Sequence, residues 1–206
     1  CATPAGTRVF VSGSDSGQVR NAAELARSLS GPWALPFGEL ELPAAVLAEL
    51  GRTRRTLVTA ESCTGGMISA ALTAVPGASN AYLGGAVVYS NRLKHRLLGV
   101  PQEILDRFGA VSAECAGAMV DGAAERLGGD CAIAVTGIAG PAGDDTDKPV
   151  GLVYIGVRAG EKRSVEEFHF RGDRNAVRER SCGSALLMLY RLLKEDEVDS
   201  AAGAGR

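Results

Sequence analysis

The chain has 206 residues, 46% hydrophobic and 22% charged, which suits one well-buried domain with extensions and excludes disorder throughout. A formal net charge of -2 and a pI near 5.8 leave no basic footprint for a phosphate backbone, so nucleic acid is not an expected partner. The five cysteines (Cys1, Cys63, Cys115, Cys131, Cys182) are scattered and lack CxxC or Cys/His spacing, which argues against a disulfide scaffold and a zinc site and for a reducing, cytoplasmic setting. No apolar run approaches the roughly 20 residues of a membrane span, and no secretory signal pattern opens the chain. It begins on Cys1 rather than Met, as a piece of a longer protein would.

Residues 1–39 read differently from the rest: a strand over Arg8 to Val11, a Gly/Ser-rich turn from Ser12 to Gly17, and a helix over Val19 to Leu29. The turn lacks the G-x-x-x-x-G-K-[ST] pattern of a phosphate loop. One strand and one helix bury no core of their own, so this segment is an extension or the remnant of a preceding domain. The regular domain spans residues 40–195. A helix over Ala44 to Leu50, with Pro43 at its first turn and Gly51 at its end, feeds a strand over Arg55 to Thr59. The octapeptide Thr59 to Gly66 (TAESCTGG) then leads into a helix over Met67 to Val75.

A strand over Ala81 to Ser90, interrupted by Gly84-Gly85, precedes a short helix that carries Lys94 and stops at Gly99. Pro101 starts a helix to about Phe108, and Ser112 caps a longer one with apolar residues at i, i+3, i+4 and i+7. Cys131 to Thr136 is a strand with no polar side chain before Thr136, as when both sheet faces are covered. After a loop from Gly137 to Pro149, strands over Leu152 to Val157 and Ser164 to Phe170 are joined too closely for a parallel crossover and form a hairpin. Asp173 caps a final helix to about Lys194, leaving residues 196–206 as a frayed tail. The alternation implies a three-layer α/β/α sandwich on a mixed, mostly parallel sheet with an antiparallel hairpin.

Ser62 falls at a strand-to-helix turn, where unpaired N–H groups and Gly65-Gly66 suit a nucleophile with an oxyanion hole near Thr64 to Gly66. An ordinary N-cap and turn is the alternative. The hydroxyl needs a base, and the two histidines serve poorly: His95 sits among Arg92, Lys94 and Arg96, and His169 lies in a hairpin strand. Of the four lysines, at 94, 148, 162 and 194, Lys94 follows a strand end within a few residues. If the strands before Ser62 and Tyr89 are neighbours, Lys94 reaches the serine, Asn91 shares its helix face, and Tyr89 stands at the strand mouth. A desolvated lysine supplies the neutral amine that a Ser-Lys mechanism needs, and an ordinary solvated surface lysine is the alternative. Cys63 is the alternative nucleophile, though its side chain points away from that of Ser62 and reads as a packed thiol.

The runs AESCTGG, VVYSNRLKHRLLGV, GAVS, VTGIAGP, KPVG and GDRNAVR, in this order from about residue 42 to 194, closely resemble the CinA C-terminal domain family, the PncC-type nicotinamide mononucleotide deamidases. The resemblance implies hydrolysis of the carboxamide of nicotinamide mononucleotide to nicotinate mononucleotide and ammonia, in pyridine nucleotide salvage, by a homodimer with no metal or cofactor. Carried onto this chain it makes Ser62 the nucleophile and Lys94 the general base, with Tyr89 in support. It makes residues 1–39 the remnant of the middle region of a longer CinA protein. With that reading, Thr136, Gly137, Ala139 and Gly140 suit the substrate amide or an anion, alongside Thr64, Gly65, Gly66 and Asn91. Arg174 and Arg178 at the start of the last helix suit a phosphate, and ion pairs with Asp173 or Glu179 are the bland alternative. A different class of function, a regulatory module that binds the nucleotide without turnover, fits the family's competence/damage-inducible name.

Overall fold

The computed structural model describes residues 2–3, 6–7, 11–30, 41–143 and 147–203, with side chains described over 11–29, 41–143 and 147–195. Strand β1 (Ala2–Thr3) pairs antiparallel with β2 (Gly6–Thr7), and helix α1 (Ser16–Ser30) follows. Asp15 Oδ1 accepts from the N–H groups of Gly17 and Gln18 at 2.8 and 2.9 Å, so the Gly/Ser-rich turn is a helix cap. Most of the strand expected over Arg8 to Val11 lies outside the described residues.

The main unit is built on strand alternation. In β5 (Cys131–Gly137), Cys131, Ile133 and Val135 enter one hydrophobic cluster while Ala132 and Ala134 enter another. The first cluster is covered by α2 (Leu42–Thr53), α3 (Met67–Thr73) and α7 (Arg174–Gly203). The second is covered by α4 (Asn91–Leu98), α5 (Gln102–Phe108) and α6 (Ala113–Leu127). Side chains such as Leu57, Ile68, Ile133, Leu186 and Leu189 are fully buried, each stabilising by roughly 1.5–3 kcal/mol relative to exposure. The sheet between these layers has the order β4-β3-β5-β6-β7, completed by β3 (Leu57–Glu61), β4 (Tyr82–Val87), β6 (Leu152–Ala159) and β7 (Lys162–His169). Strands β4, β3 and β5 run parallel, β6 runs against β5, and β6–β7 is an antiparallel hairpin. This is the α/β/α sandwich that the sequence implies. Among the described residues no helix is long and apolar enough to cross a membrane.

Parallel register places the site. Glu61 lies opposite Val87 on one side and Val135 on the other, so the chain after β3, β4 and β5 emerges along one sheet edge. Gly122 lets α6 close on the end of α4, since a Cβ there would overlap the Leu98 carbonyl. That contact seats the helix carrying Lys94 against the sheet.

Several boundaries differ from the sequence reading; β4, for one, ends at Val87 and not at Ser90. Helix α2 runs through Gly51 to Thr53 and is capped by Arg54 in the left-handed region (φ 53°), with Arg55 N–H on the Leu50 carbonyl at 2.9 Å. The following strand therefore starts at Leu57 and extends to Glu61, whose carboxylate finds partners inside the protein. Helix α7 continues to Gly203 rather than fraying after Lys194, because no proline or glycine interrupts residues 195–202.

Candidate active site

Ser62 is the first residue past β3 and is 7% exposed. Its N–H donates to the Val135 carbonyl at 3.0 Å, and its carbonyl accepts from Gly65 N–H at 3.0 Å, so the turn is pinned on both sides. Gly65 and Gly66 adopt φ values of 62° and 95°, a region that disfavours side chains. Helix α4 is capped by Ser90 Oγ, which accepts from Leu93 N–H at 3.3 Å, and this start aims Lys94 inward. Lys94 is 1% exposed. Its Nζ donates to the Val88 carbonyl at 2.9 Å and lies 3.0 Å from Ser62 Oγ.

Burial pushes the Lys94 pKa below the ordinary lysine range, and the Cys115 and Cys63 thiols beside it pull weakly the other way. Burial also raises those thiols, Cys63 to about 12 and Cys115 to about 11, so both stay protonated at neutral pH. A serine hydroxyl beside a desolvated amine is the arrangement that the Ser-Lys reading requires.

The histidines are elsewhere: His95 Nδ1 contacts the Val100 carbonyl at 2.8 Å, and His169 Nε2 contacts Glu167 at 2.7 Å.

The remaining sequence-selected residues divide. Tyr89 is 61% exposed, and its hydroxyl accepts from Arg174 at 3.1 Å rather than meeting Lys94. Arg174 also donates to the Gly140 carbonyl at 2.6 Å, and Arg178 donates to the Thr64 carbonyl at 2.8 Å. Both arginines thus tie α7 to loops of the site edge, through carbonyls and not through Asp173 or Glu179. Asp173 caps the helix, accepting from Ala176 N–H at 2.8 Å. Asn91 stays exposed while Lys94 is buried, so the two do not share an environment.

Three expected substrate contacts are packing residues in the structure. Thr136 is 1% exposed and donates to the Ala110 carbonyl at 2.7 Å. A Cβ on Gly137 would lie 2.7 Å from the Leu152 carbonyl. Ala139 is 4% exposed within the core.

The oxyanion hole expected near Thr64 to Gly66 also needs correction. Gly65 N–H is spent on Ser62, Gly66 N–H donates to Glu61 Oε2 at 3.0 Å, and Met67 N–H donates to the Thr64 carbonyl at 3.3 Å. Cys63 and Thr64 carry the N–H groups of this turn that donate to no oxygen among the described residues; both lie against the Cys63 sulfur. Glu61 is the residue that sequence reasoning missed: it is 1% exposed and takes four hydrogen bonds from the start of α3. A carboxylate closing an apolar strand a few residues before a helix start was the available signal.

A mixed α/β/α sheet with a Gly-Gly turn carrying Ser62 and a buried lysine meeting at the ends of its parallel strands defines the class of domain. The chain belongs to the CinA family: the family's C-terminal domain matches residues 39–193. A CinA-like protein of Dictyoglomus thermophilum is 42% identical over 173 residues, covering 84% of this chain and 42% of that protein. A protein of Clostridium beijerinckii named a putative competence-damage inducible protein is 46% identical over 155 residues, covering 75% of this chain and 38% of its own length. The chain thus spans about two fifths of these curated relatives. Among solved structures, a CinA superfamily protein of Klebsiella pneumoniae superposes with a TM-score of 0.73 at 34% identity, covering 75% of this chain and 96% of that one. The competence/damage inducible protein CihA of Agrobacterium tumefaciens gives 0.71 at 36% identity, over 78% and 99%.

Proposed function

We propose that this domain is an amidohydrolase that converts nicotinamide mononucleotide to nicotinate mononucleotide and ammonia by a Ser-Lys mechanism. The observation that carries the reading is the Lys94 amine, 1% exposed and 3.0 Å from Ser62 Oγ, with its pKa lowered by burial. An ammonium in that position is costly to keep from water, and a neutral amine there is a base.

The neutral Lys94 Nζ takes the Ser62 proton as Oγ bonds to the carboxamide carbon. The N–H groups of Cys63 and Thr64 hold the resulting oxyanion. When the carbon–nitrogen bond breaks, Lys94 returns the proton to the departing nitrogen, which leaves as ammonia, and Ser62 carries an ester. Water then attacks that ester, giving one proton to Lys94 and its hydroxyl to the acyl carbon; Ser62 leaves with the proton from Lys94, and the acid so formed releases its proton to solvent as the carboxylate. The Val88 carbonyl fixes Nζ throughout. A guanidinium has five N–H donors, so Arg174 and Arg178 keep donors for the substrate phosphate beyond those given to the Gly140 and Thr64 carbonyls.

The test is ammonia release from nicotinamide mononucleotide, with nicotinamide riboside as a second substrate and Ser62→Ala as the control. Release that vanishes in Ser62→Ala, and that weakens for the riboside through KM, supports both the nucleophile and the arginine phosphate site. Binding of the mononucleotide without release would favour the regulatory reading.

A further inference from the structure

Glu61 immediately precedes the nucleophile, and its carboxylate is fully engaged. Oε2 accepts from Gly66 N–H and Ile68 N–H, both at 3.0 Å, and Oε1 accepts from Ser69 N–H at 2.8 Å and Ser69 Oγ at 2.7 Å. All four donors are neutral, and three are backbone groups of the α3 start that have no partner within the helix. A carboxylate 1% exposed needs such a set, since the helix dipole and several charge-assisted hydrogen bonds must replace water.

Hydroxyls extend the set behind the turn. Tyr82 Oη donates to Ser69 Oγ at 2.8 Å, and Thr59 Oγ1 lies 2.7 Å from Tyr82 Oη and 3.0 Å from Ser69 Oγ. Gly85 makes room for this cluster: a Cβ there would overlap Thr59 Oγ1 and lie 2.8 Å from Tyr82 Oη. The cluster joins β3, β4 and α3, the elements that flank Ser62. Residues 62–65 are thereby a short bridge closed at both ends by one side chain. Because Glu61 occupies the start of α3, that helix end is not available to a substrate anion.

We infer that Glu61 is a positioning residue: its carboxylate, backed by Ser69, Tyr82 and Thr59, holds the turn so that Ser62 Oγ stays within hydrogen-bond reach of Lys94 Nζ. The inference rests on the amidohydrolase reading. It accounts for a buried charge that takes no part in the proton transfers. A misplacement of the nucleophile by about 1 Å lowers turnover by as much as about 100-fold, whereas substrate binding by other groups is unaffected. The signature is therefore a loss in kcat with KM held.

The experiment compares wild type with Glu61→Gln, counting functional serines by fluorophosphonate labelling so that kcat is expressed per reactive site. The amide of Gln presents N–H groups to N–H donors and loses at least one oxygen's pair of contacts. Expected is a fall of about 10-fold or more in kcat per labelled site, slower labelling, and KM within about twofold. A Glu61→Gln protein with kcat per labelled site within about twofold of wild type overturns the inference, since a purely structural role changes only the number of folded sites. If Glu61→Gln fails to fold, Ser69→Ala decides: it removes one of the four contacts and is expected to lower kcat by about two- to fivefold at constant KM. Unchanged kcat in that variant overturns the inference equally. A wild type that neither labels nor releases ammonia refutes the amidohydrolase reading itself.

Discussion

Replacing Lys94 by Met keeps the volume and removes the amine, and it separates catalysis from stability with one variant. Removal of a positioned general base lowers turnover by about 10³-fold or more, equivalent to roughly 4 kcal/mol of transition-state stabilisation. The stability effect follows from the lowered pKa of the buried amine, produced by desolvation. Between that folded-state pKa and the unfolded value of about 10.4, the unfolded chain binds a proton that the native chain does not. Wild-type stability therefore rises with pH across this window by about 1.4 kcal/mol per unit, and it is lost as pH falls through the folded-state pKa. Lys94→Met lacks this slope, so it gains on wild type as pH is lowered and the difference is flat below the window. The rise of kcat/KM with pH should share its midpoint with the lower end of the stability slope, because both report the same proton. Ammonia release and urea unfolding, each measured from about pH 6 to 10, check this. Retained turnover in Lys94→Met, or a stability difference that does not vary with pH, refutes the neutral-base argument.

Gly85→Ala forces a methyl group onto Thr59 Oγ1 and the Tyr82 hydroxyl, and is expected to cost about 1–3 kcal/mol, seen as a fall of several degrees in thermal melting. An unchanged melt would mean that the hydroxyl cluster is looser than its distances indicate. Cys63, with burial raising its pKa to about 12, should resist iodoacetamide at pH 8 in the folded protein, and Cys63→Ala should keep turnover. Labelling that abolishes activity in wild type and is absent in Cys63→Ala would move the nucleophile to the thiol.

How far the site could be read depended on whether its bonds were local. Ser62 at the strand-to-helix turn and Lys94 just past the next strand followed from spacing, and parallel pairing of β3 with β4 supplied the contact. Arg174 and Arg178 were recognisable as site-edge residues, yet their carbonyl partners, Gly140 and Thr64, lie 34 and 114 residues away in sequence. No local pattern encodes which loop a guanidinium meets. Thr136 looked available because it ends an apolar strand, whereas its hydroxyl is committed to Ala110, 26 residues earlier. Glu61 failed for the opposite reason: carboxylates are seldom fully buried, so an acidic residue at a strand end reads as solvated until the helix that caps onto it is placed.

Lys94 shows what a closer reading of period would have added. In Asn91–Leu98 the polar neighbours Arg92, His95 and Arg96 are exposed, which makes the segment look like a solvated face. Lys94, however, stands four residues before Leu98 and next to Leu93, on the stripe that enters the second hydrophobic cluster. A lysine on the apolar stripe of a short helix must leave the core or lose its proton. Here it is 1% exposed and bonded to Val88 and Ser62, so helical periodicity would have marked it as a buried amine before any partner was known.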